Sequence, residues 1–187
     1  YMKQTYLASD EKINLSIAIA ERERALLSRL DYKNGYSLYI GIPFCPSTCL
    51  YCSFTSYPLT AWKTQVDAYL DALEKELDYV AAKNYHRKLN SIYIGGGTPT
   101  TLEPYQLDRL IRKIRCSFDL GDCLEFTVEA GRPDSITEEK LLVLRKNGIS
   151  RISINPQTMK QKTLDLIGRH HTCLLYTSPS PRDRTRS

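Results

Sequence analysis

The segment from residue 39 to residue 52 reads Tyr39-Ile40-Gly41-Ile42-Pro43-Phe44-Cys45-Pro46-Ser47-Thr48-Cys49-Leu50-Tyr51-Cys52. Its start belongs to a short apolar run that predicts a β-strand over residues 37–42. Two prolines then keep the next residues out of regular structure, so Cys45, Cys49 and Cys52 lie on one loop. Their spacing, Cys-x3-Cys-x2-Cys, brings soft thiolate ligands together in a short segment.

This spacing favours a metal centre in a reducing compartment over disulfides. Clusters that only carry electrons are usually held by four cysteines. Three cysteines can hold three irons of a cubane and leave the fourth iron open, as catalytic zinc keeps an open position. The alternative is a structural zinc site, although only Cys49 and Cys52 have the typical knuckle spacing. The candidates for a fourth zinc ligand are Cys116, Cys123, His86, His170 and His171.

Outward from this loop, apolar strands alternate with amphipathic helices. The predicted strands span residues 37–42, 91–94, 124–128 and 151–154. Three predicted helices span residues 9–31, 61–83 and 104–118. A fourth starts in the capping box 135–138 and ends at Asn147-Gly148. A fifth begins at about residue 159.

The alternation predicts an α/β fold with a parallel sheet. The short apolar strands indicate burial on both faces. A partial or full (β/α) barrel and a doubly wound sheet both fit, and in either fold the chemistry lies beyond the carboxyl ends of the strands.

Further polar or glycine-rich motifs follow the predicted strands. Gly95-Gly96-Gly97-Thr98-Pro99-Thr100 comes after the second strand, and its glycines let a backbone approach a ligand closely. Glu129 follows the third strand, where a carboxylate can accept hydrogen bonds from a ribose diol, and Gln157 follows the fourth. A tight turn, a surface ion pair and a loop amide bonded to nearby backbone are the respective alternatives.

Taken together, these motifs resemble those of the radical S-adenosylmethionine (SAM) superfamily, which places an aromatic residue just before the third cysteine. The motifs Tyr-x-x-Ile-Pro-Phe-Cys and Gly-Gly-Gly-Thr-Pro-Thr resemble the oxygen-independent coproporphyrinogen III oxidase group. Gly41 stands where better-known members carry His. This glycine and the motifs Val-Glu-Ala-Gly and Ile-Asn-Pro-Gln together resemble the divergent coproporphyrinogen dehydrogenase branch. The resemblance covers residues 37–172 and implies a partial (β/α) barrel of the radical SAM type.

The resemblance also implies roles for individual residues. The three loop cysteines bind a 4Fe–4S cluster, whose open iron binds the amino and carboxylate groups of SAM. The implied SAM contacts are Gly96, Gly97, Thr98, Glu129, Gln157 and Arg169. Tyr39 lies beside the sulfonium or the substrate as a catalytic residue, and Tyr51 packs on adenine or on a second SAM, giving one or two SAM per turnover. Core packing is the alternative for both tyrosines, and a solvated helix-end charge is the alternative for Arg169.

The implied activity is that of an oxidoreductase of haem biosynthesis, which decarboxylates coproporphyrinogen III to protoporphyrinogen IX without oxygen. Its partners are a tetrapyrrole substrate and an electron donor such as flavodoxin or ferredoxin. A haem chaperone on the same scaffold and a zinc-stabilised binding module are the alternatives. A net charge of +5 with no basic run argues against nucleic acid. With no apolar stretch of about 18–20 residues and no signal peptide, we expect a cytoplasmic protein.

The sequence also predicts a domain organisation. We expect an N-terminal helical segment over residues 1–36 and a truncated radical SAM domain over residues 37–172, with four of the six βα units that the family usually has. Residues 173–187 resemble a translated sequencing adapter and are expected to be a non-native tail, the alternative being a native disordered tail. The chain as given is therefore expected to be inactive. We expect His170 and His171 at the surface.

Overall fold

The computed structural model describes residues 1–31, 33–169 and 171–172. In chain order the elements are α1 (Met2–Thr5), α2 (Asp10–Leu27), β1 (Gly35–Ile42), β2 (Phe44–Cys45), β3 (Tyr57–Pro58), α3 (Leu59–Trp62), α4 (Val66–Asn84), β4 (Lys88–Gly96), α5 (Pro104–Ser117), β5 (Glu125–Glu129), α6 (Glu138–Lys146), β6 (Arg151–Ser153) and α7 (Gln161–Leu166). Single 3-10 turns span Lys63–Gln65, Pro99–Thr101 and Pro133–Ser135. The predicted tail and His170 lie outside the described residues.

The main sheet has four strands in the order β1-β4-β5-β6, and every neighbouring pair is parallel. Tyr39 pairs with Tyr93, Tyr93 with Thr127, and Thr127 with Arg151 across the sheet. A doubly wound sheet reverses its strand order at a switch point. Here the order runs in one direction, which is the winding of a (β/α) barrel, so the α/β barrel-type prediction is confirmed.

The outer face of the sheet carries the apolar core. Because side chains alternate along a strand, β1, β4 and β5 each present one apolar row to the helices. These rows pack against the inward faces of α4, α5 and α6. The buried strand residues of the core include Ile40, Ile42, Ile92, Ile94, Phe126 and Val128. The buried helix residues include Leu70, Leu73, Leu77, Leu107, Leu110, Ile111, Ile114 and Leu144.

The inner face of the sheet is polar, and part of it is exposed, since Tyr39 is 61% exposed. The predicted burial on both faces is therefore wrong for these strands. Its residues are Ser37, Tyr39, Ser91, Tyr93, Glu125, Thr127, Glu129, Arg151 and Ser153. They pair with one another across the strands: Arg151 bonds Glu125 at 3.2 Å, and Ser91 donates to the hydroxyl of Ser37 at 2.8 Å. The apolar residues of each strand serve the outer face alone.

Several boundaries differ from the predictions. Ser9 caps α2 by accepting from the Lys12 N–H, but no residue of this helix is buried, so its predicted apolar face is left largely exposed. The predicted helix over residues 61–83 is interrupted by the turn Lys63–Gln65. None of the described helices is long and apolar enough to cross a membrane.

The predicted capping box at residues 135–138 is also wrong. Thr137 is the N-cap of α6 and accepts from the Lys140 N–H at 3.3 Å. Ser135 is instead drawn away by tertiary contacts, since its hydroxyl donates to the Arg132 carbonyl and lies 2.6 Å from the hydroxyl of Thr100. The helix does end at Asn147-Gly148, where Gly148 adopts a φ of +68°.

Candidate functional site: a cysteine loop at the carboxyl edge of the sheet

The cysteine loop leaves the carboxyl end of β1 and returns beside it. Strand β2 pairs with β3, which closes the loop at its base. Within the loop, the Cys52 N–H donates to the Cys49 carbonyl at 3.0 Å. All three cysteines are free thiols; Cys45 is buried, and Cys49 and Cys52 are partly exposed. The fold therefore places three sulfurs that form no disulfide on one closed loop.

The glycine turn after β4 packs directly beneath this loop. The Gly97 N–H donates to the Ile42 carbonyl and the Thr98 N–H to the Phe44 carbonyl, each at 2.8 Å. Gly96 adopts a φ of +106°, which residues other than glycine rarely tolerate. A Cβ at Gly97 would lie 2.9 Å from Cys45 Sγ. Both glycines are therefore required by the close approach of the turn to the loop.

Glu129 ends β5 beside the same turn. It is half-buried, and burial raises the pKa of its carboxyl above the ordinary value, although the Gly96 N–H that it accepts opposes the shift. Tyr39 approaches from β1: its hydroxyl would lie 3.0 Å from a Cβ on Gly95, and Glu129 Oε2 would lie 2.9 Å from the same point. The Tyr39 ring stacks on Tyr93, with centroids 5.8 Å apart.

Two residues after β6 complete the edge. Gln157 adopts a φ of +64°, and its N–H donates to the Asn155 side chain at 3.0 Å. Arg169 is buried, with 6% of its surface exposed, so it is not the solvated helix-end charge that was the alternative. Its Nη1 donates to the carbonyls of Gly131 at 2.8 Å and Asn155 at 2.9 Å. Its Nη2 donates to the Tyr51 hydroxyl at 3.3 Å.

These elements enclose one cleft of about 190 Å³. All of the predicted site residues except Tyr39 line it, namely Cys45, Cys49, Cys52, Tyr51, Gly96, Gly97, Thr98, Glu129, Gln157 and Arg169. Residues far apart in the sequence thus converge, because the carboxyl ends of parallel strands share one edge of the sheet. Tyr39 lies just outside, behind Gly95 on the inner face.

Sequence reasoning missed Arg132, which also lines this cleft. Arg132 is 2% exposed and contacts the cysteine loop through Ser47 and Cys49. The available signal was its position: it follows Glu129 closely, at a strand end already marked as part of the site. His171, predicted at the surface, is also buried, and burial lowers the pKa of its imidazole.

The donor set and its surroundings fit an iron–sulfur cubane. Within the described residues, no group of three or more His, Cys, Asp or Glu surrounds a single ion position. A cubane does not require this, because each thiolate binds a different iron. Three of the proposed fourth zinc ligands, His86, Cys116 and Cys123, lie towards the amino ends of β4 and β5, at the opposite edge of the sheet from the loop.

One buried donor also points to a bound group. Arg169 Nε has no hydrogen-bond partner among the described residues, and unpaired buried donors are costly. Nη1 donates to two backbone carbonyls and Nη2 to the Tyr51 hydroxyl, so among the described residues Nε is the nitrogen of this guanidinium without a partner, in a side chain that lines the cleft.

The fold and this site define a class of protein, and comparison with known families identifies it. The radical SAM superfamily profile matches residues 39–173, which include the cysteine loop, the glycine turn and all four strand ends. The chain therefore belongs to the radical SAM superfamily. Membership implies a 4Fe–4S cluster and SAM.

The names of the individual relatives refer to haem or to coproporphyrinogen. The oxygen-independent coproporphyrinogen-III oxidase-like protein HemZ of Bacillus subtilis is 46% identical over 175 residues, covering 91% of this chain and 35% of HemZ. The haem chaperone HemW of the same organism is 43% identical over 136 residues, covering 72% of this chain and 35% of HemW. The chain thus spans about a third of the length of these relatives.

A solved structure agrees with the fold. The coproporphyrinogen III oxidase HemN from Escherichia coli, described as a radical SAM enzyme, superposes with a TM-score of 0.68 at 33% identity. The match covers 74% of this chain and 31% of HemN. The similarity therefore extends over most of the described sheet and its helices.

Proposed function

We propose that this chain supplies the cluster and SAM site of a protein that converts coproporphyrinogen III to protoporphyrinogen IX without oxygen. The observation that carries the proposal is the convergence of Cys45, Cys49 and Cys52 with the glycine turn in one cleft. The 46% identity to an oxidase-like protein supports the choice of substrate class. In this reaction each of two propionates would give a hydrogen atom to a SAM-derived radical. It would then lose carbon dioxide and pass one electron to an external one-electron acceptor, which leaves a vinyl group.

The residues of the cleft divide the work of holding the cofactors. The three thiolates would hold the cluster, which together with SAM would supply one-electron chemistry. Gly96 and Gly97 present backbone atoms at close range because neither has a side chain in the way. Thr98 is 1% exposed and braces the turn against Cys45.

Charged and aromatic residues bind the outer parts of SAM in this proposal. Glu129 accepts from the ribose diol, for which its half-buried carboxyl is well suited once ionised. Arg169 and Gln157 also line the cleft and offer N–H donors to a nucleoside or a carboxylate. Tyr51 offers a ring for adenine or a second SAM, and Tyr39 on the inner face adjoins the substrate.

The polar inner face bears on where the substrate lies. Tyr39, Tyr93 and Glu129 form a continuous surface from the cofactor cleft into the barrel interior. Gly41 lies on this face, and among the described residues a Cβ there would meet the Tyr39 ring alone, at 3.9 Å. Within that part of the chain, glycine at the position where better-known family members carry His leaves Tyr39 accessible from the inner face.

A haem chaperone is the second candidate function. It is favoured by the 43% identity over 136 residues to a relative of that name. The two functions need the same cleft but differ in outcome: a chaperone binds haem, whereas an oxidase consumes porphyrinogen and SAM together.

The experiment uses the full-length B. subtilis HemZ relative, reconstituted anaerobically, alongside this chain. Release of methionine and 5′-deoxyadenosine with formation of vinyl product supports the oxidase. Haem binding without turnover supports the chaperone. The matched control is a HemZ variant in which serine replaces the cysteine equivalent to Cys49. If a loaded protein shows neither turnover nor haem binding, both proposals are wrong.

A further inference from the structure

Arg132 lies between the cysteine loop and the segment that follows β5. Its Nη1 donates to Cys49 Sγ at 3.6 Å and to the Ser47 carbonyl at 3.2 Å. Its Nη1 and Nη2 both reach the Ser47 hydroxyl at 3.2 Å. One side of the guanidinium thus contacts the cysteine loop, including the sulfur of Cys49.

The other side of the same guanidinium binds Asp134. Arg132 Nε donates to Asp134 Oδ1 at 2.9 Å and Nη2 to Oδ2 at 2.6 Å, which is a bidentate pair. The Arg132 side chain is 3% exposed. A guanidinium stays protonated in proteins, and the pair with Asp134 holds it in place. Arg132 is therefore a fixed buried cation whose charge Asp134 partly balances.

We propose that Arg132 is a positioning residue that sets the reduction potential of the cluster through Cys49. This inference rests on the proposed cluster site. Groups that bond to metal ligands orient them and tune the metal, and hydrogen bonds to cysteine sulfur together with local charge set the potential of iron–sulfur clusters. Arg132 provides both at one ligand.

The sign of the effect follows from charge. Reduction adds an electron to the cluster, and a buried cation with a donor at the sulfur stabilises the more negative state. Arg132 therefore raises the potential. Removing it lowers the potential, whereas removing the balancing charge of Asp134 exposes the cluster to the full cation and raises it further.

The test compares Arg132→Met and Asp134→Asn with the wild-type chain after anaerobic reconstitution. The midpoint potential of each loaded protein is measured by a redox titration monitored by electron paramagnetic resonance, with iron content determined in parallel. We expect a more negative potential in Arg132→Met and a more positive one in Asp134→Asn. The matched control is Arg109→Met, because Arg109 also bonds two carboxylates, Asp71 and Glu74, on the helical side; its potential should equal the wild-type value.

The opposite signs separate tuning from simple bracing of the loop. A structural role alone would reduce iron content in both variants without moving the potential of the loaded fraction in opposite directions. Unchanged potentials, or shifts of the same sign, overturn the inference. If Arg132→Met fails to fold, Asp134→Asn decides: a positive shift supports the inference and no shift refutes it. A wild-type chain that binds no cluster instead contradicts the proposed function itself.

Discussion

The thiol of Cys45 and the hydroxyl of Thr98 lie 3.5 Å apart, and both residues are buried. The contact joins the first cysteine of the loop to the glycine turn across 53 positions of the sequence. The Thr98 N–H strengthens the same junction by donating to the Phe44 carbonyl. The cysteine loop and the glycine turn therefore pack as one unit, and a substitution in either one alters the position of the other.

Thr98→Val removes the hydroxyl while keeping the shape of the side chain. The change removes the contact with Cys45, at a cost of about 1 kcal/mol. The turn is then held less firmly for SAM, which corresponds to about fivefold weaker binding. Equilibrium dialysis of the reconstituted chain measures this affinity per loaded cluster, because Cys45 also loses a partner. Thr60→Val, at an exposed position on α3, is the control. Equal affinity in Thr98→Val and wild type would show that the turn does not contact SAM.

Serine at any one of Cys45, Cys49 or Cys52 should abolish cluster assembly, because only three thiolates hold the cubane and none is spare. Iron per chain is expected to fall from about four to near zero. Cys116→Ser provides the comparison, since Cys116 is an exposed free thiol on α5 and its loss should leave the iron content intact. Retention of the cluster in two of the three loop variants would refute the assignment of ligands.

Gly97→Ala should destabilise the protein and impair cluster assembly. The added methyl would lie 2.8 Å from the Phe44 carbonyl and 2.9 Å from Cys45 Sγ, so the loop and the turn must separate. Overpacking of this kind costs about 1–3 kcal/mol, measurable by urea denaturation of the apo chain.

Gly121→Ala is the matched control for this change. There the added methyl would lie 3.2 Å from Asp119 Oδ1, the end of an exposed side chain that can shift by a few tenths of an ångström while still accepting from the residue 121 N–H. We expect its free energy of unfolding to stay within about 0.5 kcal/mol of wild type. Equal stability of the two alanine variants would mean that the loop does not press on the turn.

Glu129→Gln should increase stability near neutral pH. Because the folded-state pKa of Glu129 is raised, the folded protein disfavours its ionised form, so the stability this group contributes at low pH is lost as pH rises through the folded pKa. Glutamine avoids that loss. The gain should vanish below the ordinary carboxyl value of 4.5, where both states bind the proton.

The measurement is the free energy of unfolding of the apo chain at a series of pH values. Glu23→Gln makes the same charge change at an exposed position on α2 and should show no such gain. Equal stability of Glu129→Gln and wild type at pH 7 would show that the buried, ionised carboxylate does not destabilise the folded protein.

The sequence was informative where local signals and tertiary structure agree. Alternation of strands and helices predicted the parallel sheet, and Pro104 does lie at the start of α5. The predicted strand ends identified the cleft, because the segments that follow parallel strands meet at the carboxyl edge of the sheet. The polar inner face was not foreseen, since periodicity shows which residues differ in polarity but not that the sheet curves around a polar interior.

Other features depended on contacts between distant segments. Ser135 has the local form of a helix cap, but Thr100 and the Arg132 carbonyl compete for its hydroxyl. Arg132 carries no motif, and only the fold shows that it reaches Cys49 across 83 positions. Such residues are fixed by tertiary geometry, which no local pattern encodes.

The most direct test of the cluster and SAM site is anaerobic reconstitution of the chain followed by metal and sulfide analysis, with a spectrum of the reduced protein before and after SAM. We predict about four iron and four sulfide per chain and an electron paramagnetic resonance signal that changes when SAM is added, because SAM binds the open iron. One zinc per chain without sulfide, or a cluster whose signal ignores SAM, would contradict the account.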